Sequence, residues 1–308
     1  MVILKRHNNN KLVELIKSPK TIIVWILLKS SKYIKSDKLY LKLYFRLFMG
    51  ERLDLKNPIT FNQKIQWLKL HNTNPEYTKM VDKYAVREII EKEMGEEYLI
   101  PLLGVWDRFE EIDFTSLPDQ FVLKPTNDSG SVVICKDKAI FNVDKARKKI
   151  NKALKRNYFY GGREYPYKNV KPRIICEKYM VDESGTELKD YKFYCFSGEP
   201  KILLVASNRS IDVRFDFYDM ELNRLNFTTG KYSFSKDSIK KIKSFDEMIM
   251  IARKLSRNIP HIRIDLYNIN GKVFFGEFTF HDNGGIAPFH PKEWDKILGD
   301  LIKLPVDK

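Results

Sequence analysis

The chain has 308 residues, 43% of them hydrophobic and 31% charged, with a formal net charge of +15 at pH 7. That length and apolar share exclude a disordered or fibrous protein and allow two compact domains with a real core. The charge points to a polyanionic partner, whether phosphates, acidic glycan, nucleic acid or an anionic membrane surface, without choosing among them.

Residues 1–50 carry nine of the fifteen excess positive charges and read as helical, with Leu39, Leu43 and Leu47 at helical spacing. Between Lys20 and Lys29 lies an apolar run of seven residues, Ile22 to Leu28, against the roughly twenty that a membrane span needs. The run is late, short and without a small-residue cleavage site, so export is not expected. Two readings stay open for this segment. One is a basic amphipathic region on an anionic inner leaflet with Trp25 at the interface, the other a buried helix with its lysines in water. Residues 1–56 are taken as one basic helical N-terminal segment.

Asn57 opens a turn, followed by Thr60 as the N-cap of a helix through Trp67 and Leu70. After Pro75, residues 76–94 read as one helix closed by Gly95, with Lys83 and Arg87 four apart on one face. That spacing equally describes a basic face in solvent. A short strand ends at Trp106, and a polar link runs to Pro118. Residues 121–125 and 131–136 read as strands joined by a small-residue loop containing Ser129 and Gly130. The exposed backbone N–H groups of such a loop suit a flap over phosphates, although no Gly-Lys-Ser/Thr opens a helix as a Walker loop would.

A lysine-rich helix is predicted at 143–157 and an aromatic polar loop at 158–172. Strands follow at 173–180, 189–196, 201–208 and 213–219, then a helix at about 245–258 and a last one from 293. Strands with few helices between them indicate an α+β fold. Cys135, Cys176 and Cys195 sit in apolar strand-like runs without Cys-x-x-Cys spacing, which fits unpaired core thiols in a reducing cytoplasm. His281 and His290 flank a Gly-rich loop with Asp282, but loop histidines of this kind are usually not metal ligands.

The alternation at 262–268 and 272–280, meeting at Asn268 to Gly271, predicts a β-hairpin. Arg263 and Asp265 share one face of the first strand, and Glu277 and Thr279 one face of the second. A register about the turn brings Asp265 near Glu277. Two carboxylates and an arginine suit Mg²⁺ carrying phosphates and a transferring phosphoryl group. The same residues also read as a solvated hairpin face with Arg263 and Glu277 as a cross-strand ion pair.

Taken in order, these features resemble the ATP-grasp superfamily, and within it the TupA-like group associated with teichuronopeptide and capsular polysaccharide synthesis, over residues 57–291. The resemblance implies an ATP-grasp fold of two α+β subdomains gripping ATP. Residues 57–118 would be the N-terminal part of the grasp core, 119–180 the small subdomain with its phosphate flap, and 181–308 the C-terminal subdomain with the Mg²⁺ site. By the same resemblance Lys83 and Lys124 bind nucleotide, Lys124 reaching the α- and β-phosphates, and Ser129 and Gly130 belong to the flap. Glu177 and the backbone of Lys178 and Met180 read the adenine edge. Lys192 is a further phosphate contact, Arg263 stabilises the transferring phosphoryl group, and Asp265, Glu277 and Thr279 hold Mg²⁺. One departure stands out: many members carry Asn where this chain has Thr279, with Asp282 or Asn283 as substitute oxygen donors.

The implied activity is ATP-dependent carboxylate–amine ligation through an acyl phosphate, joining an amino acid to a uronic acid of a cell-surface polysaccharide or its precursor. Arg163, Lys168 and Arg209 would pair with the acidic acceptor, or else are plain surface charges. The alternatives are a glycosyltransferase of the same pathways using a sugar nucleotide, and a degenerate nucleotide-binding domain. Nucleic acid is not expected as partner, because the aromatics follow strand-core phase rather than the spacing of stacking platforms. The expected location is cytoplasmic, with a peripheral position at the inner face of the plasma membrane as the second option.

Overall fold

The computed structural model describes residues 19–185, 188–207, 213–230, 232–236 and 238–305. Two helices lead, α1 (Pro19–Ser30) and α2 (Asp37–Met49); Ser36 caps α2, and Gly50, at φ +78°, ends it. Helix α3 (Phe61–His71) starts as its sequence predicts. The Gln63 N–H donates to Thr60 Oγ1 at 3.3 Å, and Gln63 Oε1 accepts from the Thr60 N–H at 3.3 Å, a reciprocal capping box.

The single helix expected at 76–94 is two, α4 (Glu76–Val81) and α5 (Val86–Glu93). The Asp82 carboxylate causes the break by accepting the N–H groups of Tyr84 at 2.8 Å and Ala85 at 3.2 Å, a local turn that competes with the helix. Lys83 therefore sits in a turn and shares no helix face with Arg87.

Strands β1 (Leu102–Trp106), β2 (Phe121–Pro125), β3 (Val133–Cys135) and β4 (Ile174–Lys178) form an antiparallel sheet in the order β1-β4-β2-β3. Helix α6 (Val143–Leu154), capped by Asn142, closes its apolar face with Ala146 and Ile150 on Phe121, Leu123, Ile174 and Cys176. A short turn of helix, α7 (Phe159–Gly162), follows.

The second sheet contains β5 (Asp190–Phe196), β6 (Glu199–Ser207), β7 (Arg214–Tyr218), β8 (Arg224–Leu225), β10 (His261–Ile269) and β11 (Lys272–Thr279), in the order β11-β10-β5-β6-β7-β8. Two short strands, β9 (Thr228–Thr229) and β12 (Phe289–His290), pair separately. Helix α8 (Phe245–Leu255) covers one face, where Phe193, Leu203, Ile262, Ile264 and Phe278 meet Met248 and Ile251. Each such side chain contributes about 1.5–3 kcal/mol on burial. The other face is apolar under α3 and α9 (Glu293–Leu301), where Phe61 and Leu298 meet Tyr194, Leu204 and Phe217. Further along that face the same strands turn polar. All three cysteines are buried and unpaired, and burial pushes the thiols of Cys176 and Cys195 up to about 12. The architecture is the expected α+β.

Candidate functional site

The polar stretch is built by three adjacent strands. β10 lies between β5 and β11, so that Asp265 is opposite Lys192 on one side and Glu277 on the other; Arg263 is likewise opposite Tyr194 and Thr279. Two rungs, Lys192–Asp265–Glu277 and Tyr194–Arg263–Thr279, thus lie side by side on one face. A bulge sets this register: Leu266 pairs with Phe275, but Asp265 pairs with Glu277, leaving Gly276 as the extra residue. A Cβ on Gly276 would lie 2.8 Å from the Asp265 carbonyl oxygen, so the close approach requires glycine.

Arg263 is the hub. Its Nε and Nη2 donate to Asp265 at 2.6 and 2.8 Å, and Nη2 also reaches Thr279 Oγ1 at 3.0 Å and Glu277 Oε1 at 3.3 Å. Nη1 donates to Asp282, whose second oxygen accepts from the Tyr194 hydroxyl and from Asn283 Nδ2, both at 2.9 Å. Lys192 pairs with Asp265, and with Asp190 at 3.1 Å. Burial by itself would raise the Asp265 carboxyl, but Arg263 and Lys192 outweigh it and hold the group below the usual carboxylate range.

Near these rungs stand cations of the first sheet and of the turn and helix beside it. Lys124, on β2, pairs with Glu177 of β4 at 2.5 Å, and Arg87 reaches the other Glu177 oxygen at 3.5 Å. Lys83 donates to the Asp128 carbonyl at 2.6 Å. Burial lowers the Lys83 ammonium below the usual lysine range; Glu277 opposes this, Lys124 adds to it, and Asp128 and Glu177 oppose it. The Glu277 carboxylate, Lys124 and Lys83 therefore share a single electrostatic environment. The loop between β2 and β3 is anchored at its base, where Thr126 Oγ1 donates to the Lys171 carbonyl and Asn127 Nδ2 to that of Arg156, each at 2.8 Å. Its tip, Ser129 and Gly130, is exposed, with Gly130 at φ +85°. Tyr158 and Tyr167, 4.8 Å apart between ring centres, border the same space. Burial raises both phenols, Glu164 adding to it at Tyr158 and Glu277 at Tyr167.

The turn that follows β11 is fixed from α3. Asn62, Gln66 and Lys69 form a buried polar stripe at spacings of four and three. Gln66 Nε2 donates to the carbonyls of Gly284 and Gly285 at 2.9 and 2.7 Å, Lys69 Nζ to Gly284 at 2.7 Å, and Asn62 Nδ2 to Ala287 at 3.0 Å. Burial pushes Lys69 down to about 8, with Glu164 opposing it. This stripe, together with Asp190, Tyr194 and Glu164, was not singled out from the sequence. The signal was present, since Asp190, Lys192 and Tyr194 alternate along β5.

Glu177 lies near the end of β4, between β1 and β2, and beyond it Met180, Lys178, Arg87, Tyr84 and Phe274 line a groove of about 1060 Å³. The Lys178 N–H already donates to the Pro101 carbonyl at 3.0 Å, so that donor is engaged within the fold rather than open to an adenine edge. Arg163 departs from the expectation of an acceptor-binding charge. It is 2% exposed, stacks on Tyr40 at 4.2 Å, donates to the carbonyls of Ser31 and Ile34, and pairs with Asp37. These contacts fasten the N-terminal helices to the rest of the chain. Lys168 is exposed over the Phe159 ring, and Arg209 lies outside the described residues. His281 is buried 3.7 Å from Glu164, while His290 is exposed.

Among the described residues, no three His, Cys, Asp or Glu gather as a metal cage. Asp265 Oδ1 accepts from Arg263 and keeps a second lone pair, so that Asp265 and Glu277 across one rung supply two hard anionic oxygens. That donor set fits Mg²⁺, which keeps waters and shares phosphate oxygens rather than filling its shell from protein.

A family model described as TupA-like ATPgrasp matches residues 63–303, and the chain belongs to that family. No curated protein matches the chain. Among solved structures it is similar to D-alanine–D-alanine ligase from Bacillus anthracis, at 14% identity and a TM-score of 0.36, over 72% of this chain and 59% of that one. The corresponding ligase from Helicobacter pylori is 16% identical with a TM-score of 0.38, over 80% and 69%. A RimK domain ATP-grasp protein from Sphaerobacter thermophilus is 9% identical with a TM-score of 0.39, over 73% and 69%. The chain spans less than two thirds of the length of the Bacillus anthracis enzyme.

Proposed function

We propose that this TupA-like ATP-grasp protein is an ATP-dependent carboxylate–amine ligase whose acceptor is an acidic sugar, such as a uronic acid of a cell-surface polysaccharide or its precursor, and whose amine is an amino acid. The observation that carries the ligase reading is the meeting of two walls, with Lys124 on the first sheet and Lys83 and Arg87 on the turn and helix beside it, near enough to the wall of Arg263, Asp265 and Glu277 for the Glu277 charge to act on Lys83. The first wall suits the phosphates of ATP. Arg263 suits the charge on the phosphoryl group in transfer, because a preorganised guanidinium stabilises it without reorganising.

In this reading an acceptor carboxylate oxygen attacks the γ-phosphorus, releasing ADP and leaving an acyl phosphate. The amine then attacks the carbonyl carbon, phosphate departs, and an amide remains. Asp265 and Glu277 would hold Mg²⁺, which when bound neutralises phosphate charge. Lys192 and Asp282 keep Asp265 and Arg263 in place, and Tyr158 with the Ser129–Gly130 tip would shield the acyl phosphate from water. Support for an acidic acceptor comes from the family and from the net positive charge, of which Lys168 is an exposed part.

The test is titration calorimetry of Mg²⁺ and ATP with the wild type and with Lys124→Ala and Glu277→Gln, followed by phosphate release with uronic acids and amino acids in pairs. Binding that weakens in both variants, with release requiring both substrates, is the expected result. A wild type that ignores ATP and binds a uridine or guanosine diphosphate sugar would overturn the ligase reading in favour of glycosyl transfer.

A further inference from the structure

We infer that the face made by α1 and α2 docks on an anionic lipid bilayer, independently of what the site behind it catalyses. Helix α1 is apolar on every side from Ile22 to Leu28, yet only Leu27 is buried. Ile22, Ile23, Trp25 and Ile26 are 40, 50, 49 and 52% exposed. A helix that is apolar all round belongs in a protein core or in lipid, and here its outer half has neither. Helix α2 continues the surface: Tyr40, Leu41, Tyr44 and Phe45 turn inward, while Leu39 and Leu43 stay out. The sequence left the buried and the membrane-facing helix as equal readings, and this exposure separates them.

Charge identifies the occupant. Lys20, Lys29, Lys32, Lys35, Lys38, Lys42 and Arg46 are all exposed around the apolar residues. Asp37 is the one acid between residues 19 and 50, and it is paired with Arg163 at 2.7 Å. The exposed charge on the two helices is therefore cationic, and Asp54, just beyond α2 and near Lys42, is an acid beside it. Protein interfaces are depleted in lysine, whereas lysines around an aliphatic face with one indole describe a helix lying at a lipid headgroup boundary. Twelve residues of α1 are too few to cross a bilayer, and no described helix is long and apolar enough to do so. The arrangement is thus that of a surface anchor combining apolar insertion with electrostatic attraction. Arg163 ties this anchor to the body of the protein through the carbonyls of Ser31 and Ile34.

The experiment is co-sedimentation of the full chain with phosphatidylcholine vesicles, with and without phosphatidylglycerol, at low and high salt. Binding is expected to the anionic vesicles, to fall with salt, and to be weak on phosphatidylcholine alone. Trp25→Glu combined with Ile22→Glu should reduce binding at least about tenfold with an unchanged melting temperature, because both positions are solvent-facing. Each of Lys32→Gln, Lys35→Gln and Lys38→Gln should weaken it roughly fivefold. Equal binding to both vesicle types, or variants that bind as the wild type does, would overturn the inference. So would a dimer that Trp25→Glu dissociates, since the face would then be covered by a second copy. Iodide quenching gives the last control: the emission lost in Trp25→Phe must be quenchable without vesicles and shielded with them. Shielding without vesicles means that the chain itself already covers the face, and the inference fails.

Discussion

The two sheets approach one space with opposite charge balances. On the four-stranded sheet and the turn and helix beside it, Lys83, Lys124 and Arg87 gather about Glu177, with Asp128 also acting on Lys83. On the six-stranded sheet, Asp190, Asp265, Glu277 and Asp282 surround Arg263 and Lys192. Metal-bound nucleotide is a polyanion carrying a cation, so a site that holds both needs a cationic wall and an anionic one. The walls differ in how tightly the fold fixes them. Both oxygens of the Asp265 side chain are held by Arg263 or Lys192, whereas Lys124 bonds the Glu177 carboxylate and Lys83 the Asp128 carbonyl.

The sharpest way to break this contrast is to remove one partner from each wall. Asp265→Ala leaves Arg263 and Lys192 short of counter-charge in a buried setting and should destabilise the fold by about 3–5 kcal/mol in urea denaturation. Lys124→Ala leaves Arg87 with Glu177 and should cost less, roughly 1–3 kcal/mol. Equal losses would show that the walls are not differently fixed.

A pH experiment probes the brace behind the anionic wall. Burial holds Lys69 at about 8 in the folded chain, while lysine in an unfolded chain titrates near roughly 10.4. Between those values the unfolded state binds more protons, so stability should rise with pH, by on the order of 3 kcal/mol across the window. Lys69→Met should flatten that rise, and denaturation midpoints at pH 7.5 and pH 10 measure it.

Smaller effects separate the walls by ligand. Lys124→Ala should weaken ATP binding roughly 10- to 100-fold with or without Mg²⁺, because a charge-assisted phosphate contact is lost. Glu277→Gln should leave metal-free ATP binding unchanged and remove about a tenfold gain on adding Mg²⁺, read by calorimetry with and without chelator. If Glu277→Gln weakens both alike, the anionic wall is not a metal wall. Thr279→Val should remove one hydrogen bond to Arg263, for about 1 kcal/mol of stability.

The hairpin was legible because its alternation and its Asn–Gly turn are local. The expected nearness of Asp265 and Glu277 holds, but the bulge that produces it is not legible: strict pairing outward from the turn would place Asp265 opposite Gly276. The break at Lys83 has a local cause in Asp82, which helical periodicity on both sides conceals. The burial of Arg163 is not legible in the polar loop at 158–172, because its partners Ser31, Ile34 and Asp37 are far away in the chain.

The sequence by itself determined which residues share a face, since side-chain direction follows from the period of two in a strand and 3.6 in a helix. It thereby determined the Arg263–Asp265 and Glu277–Thr279 pairs, the capped start of α3, and the apolar run beside the N-terminal lysines. Tertiary structure decided which faces meet: that β5 lies next to β10 so that Lys192 completes a rung, that α3 turns a polar stripe inward onto Gly284, and that α1 keeps its apolar side outward. Those outcomes depend on packing between segments distant in sequence, whose free energy no local spacing records.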